Sequence, residues 1–266
     1  MATPPDNPGR HAPASVKRLL RQEVGYGCPV LACASPYLEY HHSDPPWAKE
    51  HHYRPEGMIA LCGPHHDKAG GGAFTVEQLR QFKRSSYALS APVRGRFDWR
   101  RRDLVARIGG TFYVRTPVLV AIRGEPVVWQ RRDEDDTLLL SLHMLSTSGD
   151  VRLQMVDHEW YVVGSPSDFE SPPSGRRIHA RYDNGDQLTI EFWEAATPDA
   201  LSTRYSTPEH QVIVPTQLLE FPVAVADIEM TIPGSGISFS KDESQIGGSR
   251  FRGSWFIDTA VGMNIG

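Results

Sequence analysis

The residues best suited to chemistry in this chain are three cysteines and a nearby histidine. Cys28 and Cys33 form a C-x4-C pair, and Cys62 and His65 form a C-x2-H pair. Thiolate and imidazole are the ligands that zinc prefers, and two such pairs supply the four donors of a tetrahedral site. An odd number of cysteines in a sequence without a recognisable secretion signal argues against a disulfide framework. The spacing therefore predicts one structural zinc, and the alternative is buried cysteines with surface histidines.

Six of the eleven histidines cluster in the same region. Residues 37–42 alternate weakly and predict a strand that ends in His41 and His42, and the breaker-rich residues 43–46 then open a loop. Residues 58–61 predict a second strand that leads directly into the second zinc pair. A hairpin followed by a helix brings the histidines at the end of the first strand and at the start of the helix together over one face.

The order of these motifs resembles the HNH endonuclease family over about residues 18–90. That family has a zinc-binding cysteine pair, a strand ending in Asp-His or His-His, a loop, and a strand running into Leu-Cys-x-x-Cys-His. The resemblance implies a ββα-metal fold in which His41 and His66 hold a catalytic Mg²⁺ or Mn²⁺ and His42 is the general base. It also implies that the ligands of the structural zinc are Cys28, Cys33, Cys62 and His65, the histidine replacing the family's fourth cysteine.

Phosphodiester hydrolysis explains why these residue types are wanted. An attacking water must lose a proton near neutral pH, which suits an imidazole, whose unperturbed pKa is about 6.5. Negative charge on the scissile phosphate and on the leaving oxygen must also be stabilised, and a divalent cation can do so. The resemblance thus predicts a metal-dependent endonuclease whose partner is nucleic acid, with DNA favoured over RNA.

One position departs from the family pattern. The family's middle asparagine, five residues before the first cysteine of the Leu-Cys motif, is Gly57 here. That asparagine helps to fix the loop bearing the general base, and in some members it binds the metal. Two interpretations stay open: a nuclease that has lost activity and remains a zinc-stapled binding module, or substitution by other residues. Glu56, His51 and His52 lie nearby in sequence, and either histidine is a candidate ligand for the catalytic ion.

Charge is divided unevenly along the chain. Residues 1–103 contain 15 Lys and Arg against 10 Asp and Glu, a balance of +5, whereas residues 104–266 contain 13 against 22, a balance of −9. This asymmetry predicts that the first part meets a polyanion, although ordinary solvated surfaces are the alternative. Candidate phosphate contacts are Lys83, Arg84, Arg100, Arg101 and Arg102. The arginine triplet is equally well interpreted as a solvated linker.

Short helices are predicted on both sides of the histidine cluster. Ser15 is placed to cap the first, whose basic residues, Arg21 among them, are expected to be exposed. Thr75 begins another, and Gln78 three residues later completes a capping-box pattern. Leu79 lies on the apolar face of this second helix.

The rest of the sequence predicts β structure. Residues 112–122 form one candidate strand, and the turn residues 183–186 between two apolar segments indicate a hairpin. Leu188, Ile190 and Phe192 alternate inward as in a half-buried strand. The predicted core tryptophans are Trp129, Trp160, Trp193 and Trp255. The histidines of this half are scattered and predict no site.

Together these patterns predict an α+β chain, with an N-terminal ββα-metal (HNH) zinc module and a mainly antiparallel all-β domain, sandwich- or meander-like. The expected divisions are a disordered lead at 1–15, the zinc module at 16–90, a basic linker at 91–103 and the β-rich domain at 104–266. No apolar run approaches the ~18 residues needed to cross a bilayer, and the N-terminus lacks the apolar segment of a signal peptide. We therefore expect a cytoplasmic protein without a membrane partner.

Three functions remain compatible with the sequence. The first is a DNA endonuclease whose β domain serves regulation, recruitment or assembly, as in bacterial defence or mobile elements. The second is a catalytically inactive zinc module that binds nucleic acid. The third is a structural or assembly protein in which the β domain carries the function through a protein partner or self-assembly. A second divalent ion beside the zinc would favour the first.

Overall fold

The computed structural model describes residues 11–266 of the chain. Most of the disordered lead predicted at residues 1–15 therefore lies outside the described residues. Over the described range the protein is α+β, as expected from the sequence. None of the helices in this range is both long and apolar enough to span a membrane.

The helices and strands are numbered in chain order. The α-helices are α1 (Ala14–Glu23), α2 (Gly63–Gly70), α3 (Val76–Arg84) and α4 (Pro198–Tyr205), with short 3-10 turns at Pro55–Gly57 and Tyr87–Ser90. The strands are β1 (Leu38–His42), β2 (Met58–Cys62), β3 (Arg94–Arg96), β4 (Leu104–Ile108), β5 (Thr111–Val114), β6 (Val118–Ile122), β7 (Glu125–Arg132), β8 (Leu138–Leu145), β9 (Val151–Val156), β10 (Glu159–Val162), β11 (Asp168–Glu170), β12 (Arg177–Arg181), β13 (Gln187–Ala195), β14 (Val223–Ile232), β15 (Ile237–Phe239), β16 (Ser244–Ile246), β17 (Ser249–Phe251), β18 (Ser254–Ile257) and β19 (Val261–Ile265).

The described chain forms two compact units. The first contains the residues up to Arg94 together with Asp168–Ser174, and the second contains Gly95–Ser167 and Gly175–Gly266. The division falls inside the stretch 91–103 that the sequence predicts as a linker. The sequence does not predict that the segment Asp168–Ser174 belongs to the first unit, because no local pattern indicates it.

The first unit is built around a hairpin and a helix. β1 and β2 pair antiparallel, with His41 opposite Ile59 and His42 opposite Met58. All five residues of β2 are buried, which explains why its sequence is continuously apolar rather than alternating. α2 begins directly after β2, because Pro64 occupies the first helical turn, where no backbone N–H donor is needed.

The predictions for the flanking helices have different outcomes. The capping box is confirmed: the hydroxyl of Thr75 accepts from the backbone N–H of Gln78 at 3.2 Å, and the Gln78 side chain accepts from the Thr75 N–H at 2.8 Å. By contrast, α1 begins before Ser15, so Ser15 is not its cap. Arg21 is also buried, at 4 % exposure, where the sequence predicted exposure. The physical reason is the carboxylate of Asp168, which pairs with it inside the first unit.

The second unit contains mixed sheets and one helix, so it is not all-β as expected, whereas the expected mainly antiparallel pairing is confirmed. Neighbouring strands do pair antiparallel, as in the predicted hairpin of β12 and β13. Three pairs, however, are parallel: β4 with β14, β5 with β18, and β6 with β19. Strands that pair across such long stretches of chain share no local pattern, and parallel pairing needs a long crossover rather than a turn.

Local details of this unit agree with the sequence in part. Leu188 and Ile190 are fully buried and Phe192 is 1 % exposed, which confirms their inward alternation. Residues 112–122, predicted as one strand, are divided between β5 and β6, because Arg115 adopts a left-handed φ of 48°. Of the four tryptophans, Trp160 is fully buried, and the other three are half-buried.

Candidate metal and catalytic site

Four side chains of the first unit converge as the C-x4-C and C-x2-H pairs predict. The ligand atoms of Cys28, Cys33, Cys62 and His65 all lie within 4.8 Å of one another. Cys33 Sγ is 3.7 Å from Cys62 Sγ, and His65 Nδ1 is 3.3 and 3.2 Å from Cys28 Sγ and Cys62 Sγ. A tetrahedral zinc sets sulfur–sulfur separations of about 3.8 Å and sulfur–nitrogen separations of about 3.6 Å. The cluster can therefore hold a structural zinc with little rearrangement.

The backbone presents the first pair through a tight turn. The N–H of Ala34 bonds to the carbonyl of Cys28 at 3.2 Å, and the N–H of Cys33 bonds to the carbonyl of Val30 at 3.0 Å. Ala32 and Ala34 have positive φ values of 61° and 49°, a conformation that costs an L-residue about 1–2 kcal/mol. Binding of a metal by the two cysteines would offset this local strain.

The environment of Cys62 favours the thiolate that a metal requires. Its pKa is lowered to about 5, first by hydrogen bonding with the Cys28 thiol, against the opposing effect of burial, and further by hydrogen bonds with Cys33 and with His65 and its backbone. Cys62 ends β2 and His65 lies in the first turn of α2. The strand-to-helix junction therefore positions half of the ligand set without an intervening loop.

His41 and His66 form a second histidine pair in the same unit. Their ring centroids are 5.3 Å apart and their planes cross at 88°, and two imidazoles that share one cation have centroids about 5 Å apart. The pKa of His41 is lowered to about 4, first by burial and then by the neighbouring His66 and His42. His41 is therefore neutral at physiological pH, which is the form that binds metals.

His42 is oriented by the loop between β1 and β2. Its Nε2 lies 2.9 Å from the backbone carbonyl of His52. A carbonyl only accepts, so Nε2 carries a proton, and in the neutral ring Nδ1 is the unprotonated nitrogen. The indole of Trp47, from the same loop, lies 4.7 Å from the His42 ring between centroids. The rings of His52 and Tyr53 also lie beside it, at 5.2 and 6.3 Å between centroids, so the loop surrounds the His42 ring.

His52 holds this loop together. It is 5 % exposed, its Nε2 lies 2.9 Å from the carbonyl of Pro45, and its Nδ1 accepts from the N–H of Arg54 at 3.2 Å. Because backbone groups occupy both ring nitrogens, this arrangement does not favour the role of a cation ligand suggested from the sequence. His51 is exposed and stacks on Trp47 with centroids 4.4 Å apart.

Gly57 has a steric reason to be glycine. A Cβ built there would lie 2.2 Å from the carbonyl oxygen of Asp44 and 2.8 Å from the ring of His52. The Gly57 carbonyl accepts from the N–H groups of Ser43 and Asp44 at 2.8 and 3.1 Å, and from the Ser43 hydroxyl at 3.0 Å. The loop is therefore fixed by backbone contact at the position where the family has an asparagine side chain.

The candidate phosphate-contacting residues differ in how strongly other groups hold them. Lys83 is only 17 % exposed in its side chain, pairs with Glu23 at 2.8 Å, and donates to the carbonyls of Pro55 and Met58 at 2.5 and 3.1 Å. The structure thus uses Lys83 to tie α3 to the segment before β2. Arg84 is 61 % exposed and pairs with the exposed Glu77.

The arginine triplet belongs to the second unit. Arg100 pairs with Asp133 at 2.6 Å, and Arg101 lies over the ring of Trp99 at 4.5 Å. Arg102 is exposed, and its carbonyl accepts from Arg132 at 2.9 Å. All three keep substantial solvent exposure, so an anion can reach them.

Two residues of the histidine region were not singled out from the sequence. Trp47 contacts His42, and Glu39 Oε2 lies 3.5 Å from His66 Nδ1. The strand alternation of β1 could have indicated Glu39, since it lies two residues before His41. No local pattern could have indicated Trp47, whose position depends on the fold of the loop.

Across residues 11–266, three or more Cys, His or acidic ligand atoms lie within 4.8 Å of one another in one place, the group of Cys28, Cys33, Cys62 and His65. No protein-family model, curated protein or solved structure matches this chain.

Proposed function

We propose that this protein is a metal-dependent endonuclease of the HNH type, which hydrolyses phosphodiester bonds of DNA. In this proposal Cys28, Cys33, Cys62 and His65 bind the structural zinc. His41 and His66 bind the catalytic Mg²⁺ or Mn²⁺, and His42 is the general base.

The observation that carries the proposal is the hydrogen bond from His42 Nε2 to the carbonyl of His52, 2.9 Å long. A general base needs an unprotonated nitrogen in a fixed direction, and this bond leaves Nδ1 in that state. The neutral His41 beside His66 supplies the second requirement, imidazole donors for a cation.

The residues divide the reaction between them. A bound divalent cation would stabilise negative charge on the scissile phosphate and the leaving oxygen. His42 Nδ1 takes the proton from the attacking water, and the resulting imidazolium keeps its Nε2 proton on the His52 carbonyl. Burial disfavours protonation of His41, so its lone pair stays available to the cation. One proton moves from water to His42, and one P–O bond forms while another breaks.

The packing at Gly57 supports an active site that dispenses with the family's asparagine. That asparagine fixes the base-bearing loop in the resembling family, and here the Gly57 carbonyl, Ser43 and His52 fix the same loop. The competing proposal is a zinc-stapled module that binds nucleic acid without cutting it. It is favoured by the fact that, among residues 11–266, the His41–His66 pair has no third ligand atom within 4.8 Å of both.

The remaining assignments follow from this proposal. Exposed basic residues such as Arg84 and Arg102 are the candidate contacts to DNA phosphates. The second unit would regulate, recruit or assemble the nuclease, alone or with a protein partner. A nuclease of this type, with zinc-bound thiolates, fits a cytoplasmic location.

The test is a nicking assay on supercoiled plasmid with Mg²⁺ or Mn²⁺, using the zinc-loaded full chain. The His42→Gln variant keeps an N–H that can reach the His52 carbonyl but has no basic nitrogen. We expect wild-type cleavage and at least a hundredfold loss in His42→Gln, in line with the usual contribution of a general base of about 10²–10⁴. His143→Gln, in the second unit, is the matched control.

Zinc content and thermal unfolding of each variant show whether the fold is intact. Cleavage that survives in His42→Gln would overturn the assignment of the base. A wild-type chain that binds DNA but cuts neither plasmid, single strands nor RNA would favour the non-catalytic module.

A further inference from the structure

Glu39 is a carboxylate beside the histidine pair that the proposed mechanism has not used. Its Oε2 lies 3.5 Å from His66 Nδ1. Its side chain is 38 % exposed, against 30 % for that of His66, so both can reach a solvated ion.

The fold brings Glu39 to this place through two elements. Glu39 and His41 are two residues apart on β1, and alternate residues of a strand face the same side. Across the hairpin Glu39 is paired with Leu61, directly before the strand-to-helix junction. A Cβ on Gly63 would lie 3.3 Å from Glu39 Oε1, so the carboxylate lies over the first residue of α2. His66 lies three residues after Gly63, on the same face of α2, and can therefore face the Glu39 carboxylate.

We infer that Glu39 is the third protein ligand of the catalytic cation, together with His41 and His66. This inference rests on the proposed function, because it completes the cation site that function requires. The Glu39 carboxylate would supply the oxygen ligand that a glycine at position 57 cannot provide. The ligand atoms of Glu39, His41 and His66 do not all lie within 4.8 Å of one another, so binding an ion would require the half-exposed Glu39 side chain to rotate towards the two imidazoles.

The chemistry of the donor set fixes which cations fit. Two imidazoles alone are a weak site for a hard divalent ion, and a carboxylate adds a hard oxygen and a negative charge. Two nitrogens and one oxygen with room for water suit Mn²⁺ better than Mg²⁺, which demands oxygen ligands. The open positions would hold the attacking water and a phosphate oxygen.

A different role for Glu39 would be to orient His66 by accepting from its Nδ1. Glu39→Gln separates the two roles. The glutamine side-chain oxygen still accepts a hydrogen bond, so an orienting role is preserved, whereas the negative charge that holds a cation is lost. Asp67 is the matched control, because it also lies near His66 Nδ1, at 3.8 Å, but its side chain is 86 % exposed and follows His66 on the helix.

The experiment measures Mn²⁺ affinity by electron paramagnetic resonance on the full chain loaded with its structural zinc. We expect Glu39→Gln and Glu39→Ala to weaken Mn²⁺ binding by about tenfold or more, and Asp67→Asn to leave it within about twofold. Wild-type affinity in Glu39→Gln, or the absence of Mn²⁺ binding by the wild type, would overturn the inference.

Binding and cleavage together distinguish this inference from the proposed function. If the wild type cuts plasmid and Glu39→Gln binds Mn²⁺ normally, the nuclease stands and the ligand assignment fails. If Glu39→Gln loses Mn²⁺ but the wild type never cuts, the cation site stands and the nuclease proposal fails.

Discussion

Arg21 and Asp168 lie 147 residues apart and form a two-pronged ion pair inside the first unit. Arg21 Nη2 is 2.8 and 2.7 Å from the two carboxylate oxygens, and Nε is 3.1 Å from one of them. The residues are 4 and 5 % exposed. Tyr40 adds a contact, since Arg21 Nη1 donates to its hydroxyl at 2.8 Å. This pair attaches a distant segment to the helix that precedes the zinc cluster.

We predict that Asp168→Asn destabilises the first unit by about 1–3 kcal/mol, because it removes the two-pronged partner of a buried guanidinium and leaves only Glu170, whose Oε1 is 3.6 Å from Arg21 Nη1. The measurement is the free energy of unfolding in urea, with hydrogen exchange of the backbone amides in α1 and β1 as the probe. Asp258→Asn is the control, since its pair with Arg115 is exposed and should have a much smaller effect. Equal losses in both variants would contradict a special role for the buried pair.

Zinc removal is predicted to unfold the first unit. Structural zinc contributes about 10–16 kcal/mol in small modules, far more than a hairpin and three short helices can replace. Metal analysis should find one zinc per chain in the wild type and none in Cys62→Ser. Asp67→Asn, an exposed change on α2, should keep the metal. A chelated protein with unchanged hydrogen exchange in β1 and β2 would refute the structural role.

Introducing the asparagine that the HNH family has at this position is predicted to damage the site rather than improve it. Gly57→Asn and Gly57→Ala both place a Cβ 2.2 Å from the Asp44 carbonyl oxygen, and such overpacking costs about 1–3 kcal/mol or more. Gly70→Ala is the control, because nothing lies within 4 Å of its Cβ. Thermal unfolding and nicking are measured in parallel. A Gly57→Asn variant that is stable and more active would contradict the packing of this loop.

The second unit should lose stability in acid through His158. Burial lowers its pKa to about 4 from an ordinary value of 6.5, so the folded state disfavours the proton that the unfolded chain accepts. This stability is fully present above about pH 6.5 and is lost as the pH falls towards 4, by up to about 3 kcal/mol.

Urea unfolding across this pH range, followed by hydrogen exchange in β9 and β10, measures the effect. His158→Asn removes the titration and tolerates the left-handed φ of 70° at this position, so its acid dependence should be shallower. His11→Asn, at an exposed site, should retain the wild-type dependence. A wild-type slope in His158→Asn would assign the acid sensitivity elsewhere.

Lys83 and Arg84 are adjacent in sequence, but substitutions of the two residues should affect different properties, protein stability for Lys83 and DNA affinity for Arg84. Lys83→Met removes donors from the carbonyls of Pro55 and Met58, and we expect a stability loss of about 1–3 kcal/mol with little change in DNA affinity. Arg84→Gln should leave stability nearly unchanged and weaken DNA binding. The slope of the logarithm of the binding constant against the logarithm of the salt concentration should become shallower by about one. The reverse pattern would place the phosphate contact at Lys83.

The sequence by itself determined the local parts of this protein. Cysteine and histidine spacing predicted the four residues that converge in the zinc cluster. The capping box at Thr75 and the hairpin of β12 and β13 were also predictable. In each case the partners are a few residues apart, or metal chemistry restricts the choice to a few residue types.

Only the tertiary structure decided which of the remaining residues meet. The burial of Arg21 depends on Asp168, and the tautomer of His42 depends on the carbonyl of His52. The parallel pairs of the second unit join strands distant in the chain. Such contacts form only when a long segment of chain closes into a loop, which costs conformational entropy. The packing of the whole core decides which distant segments meet. Periodicity and spacing describe a residue's neighbours along the chain, and these residues act through neighbours in space.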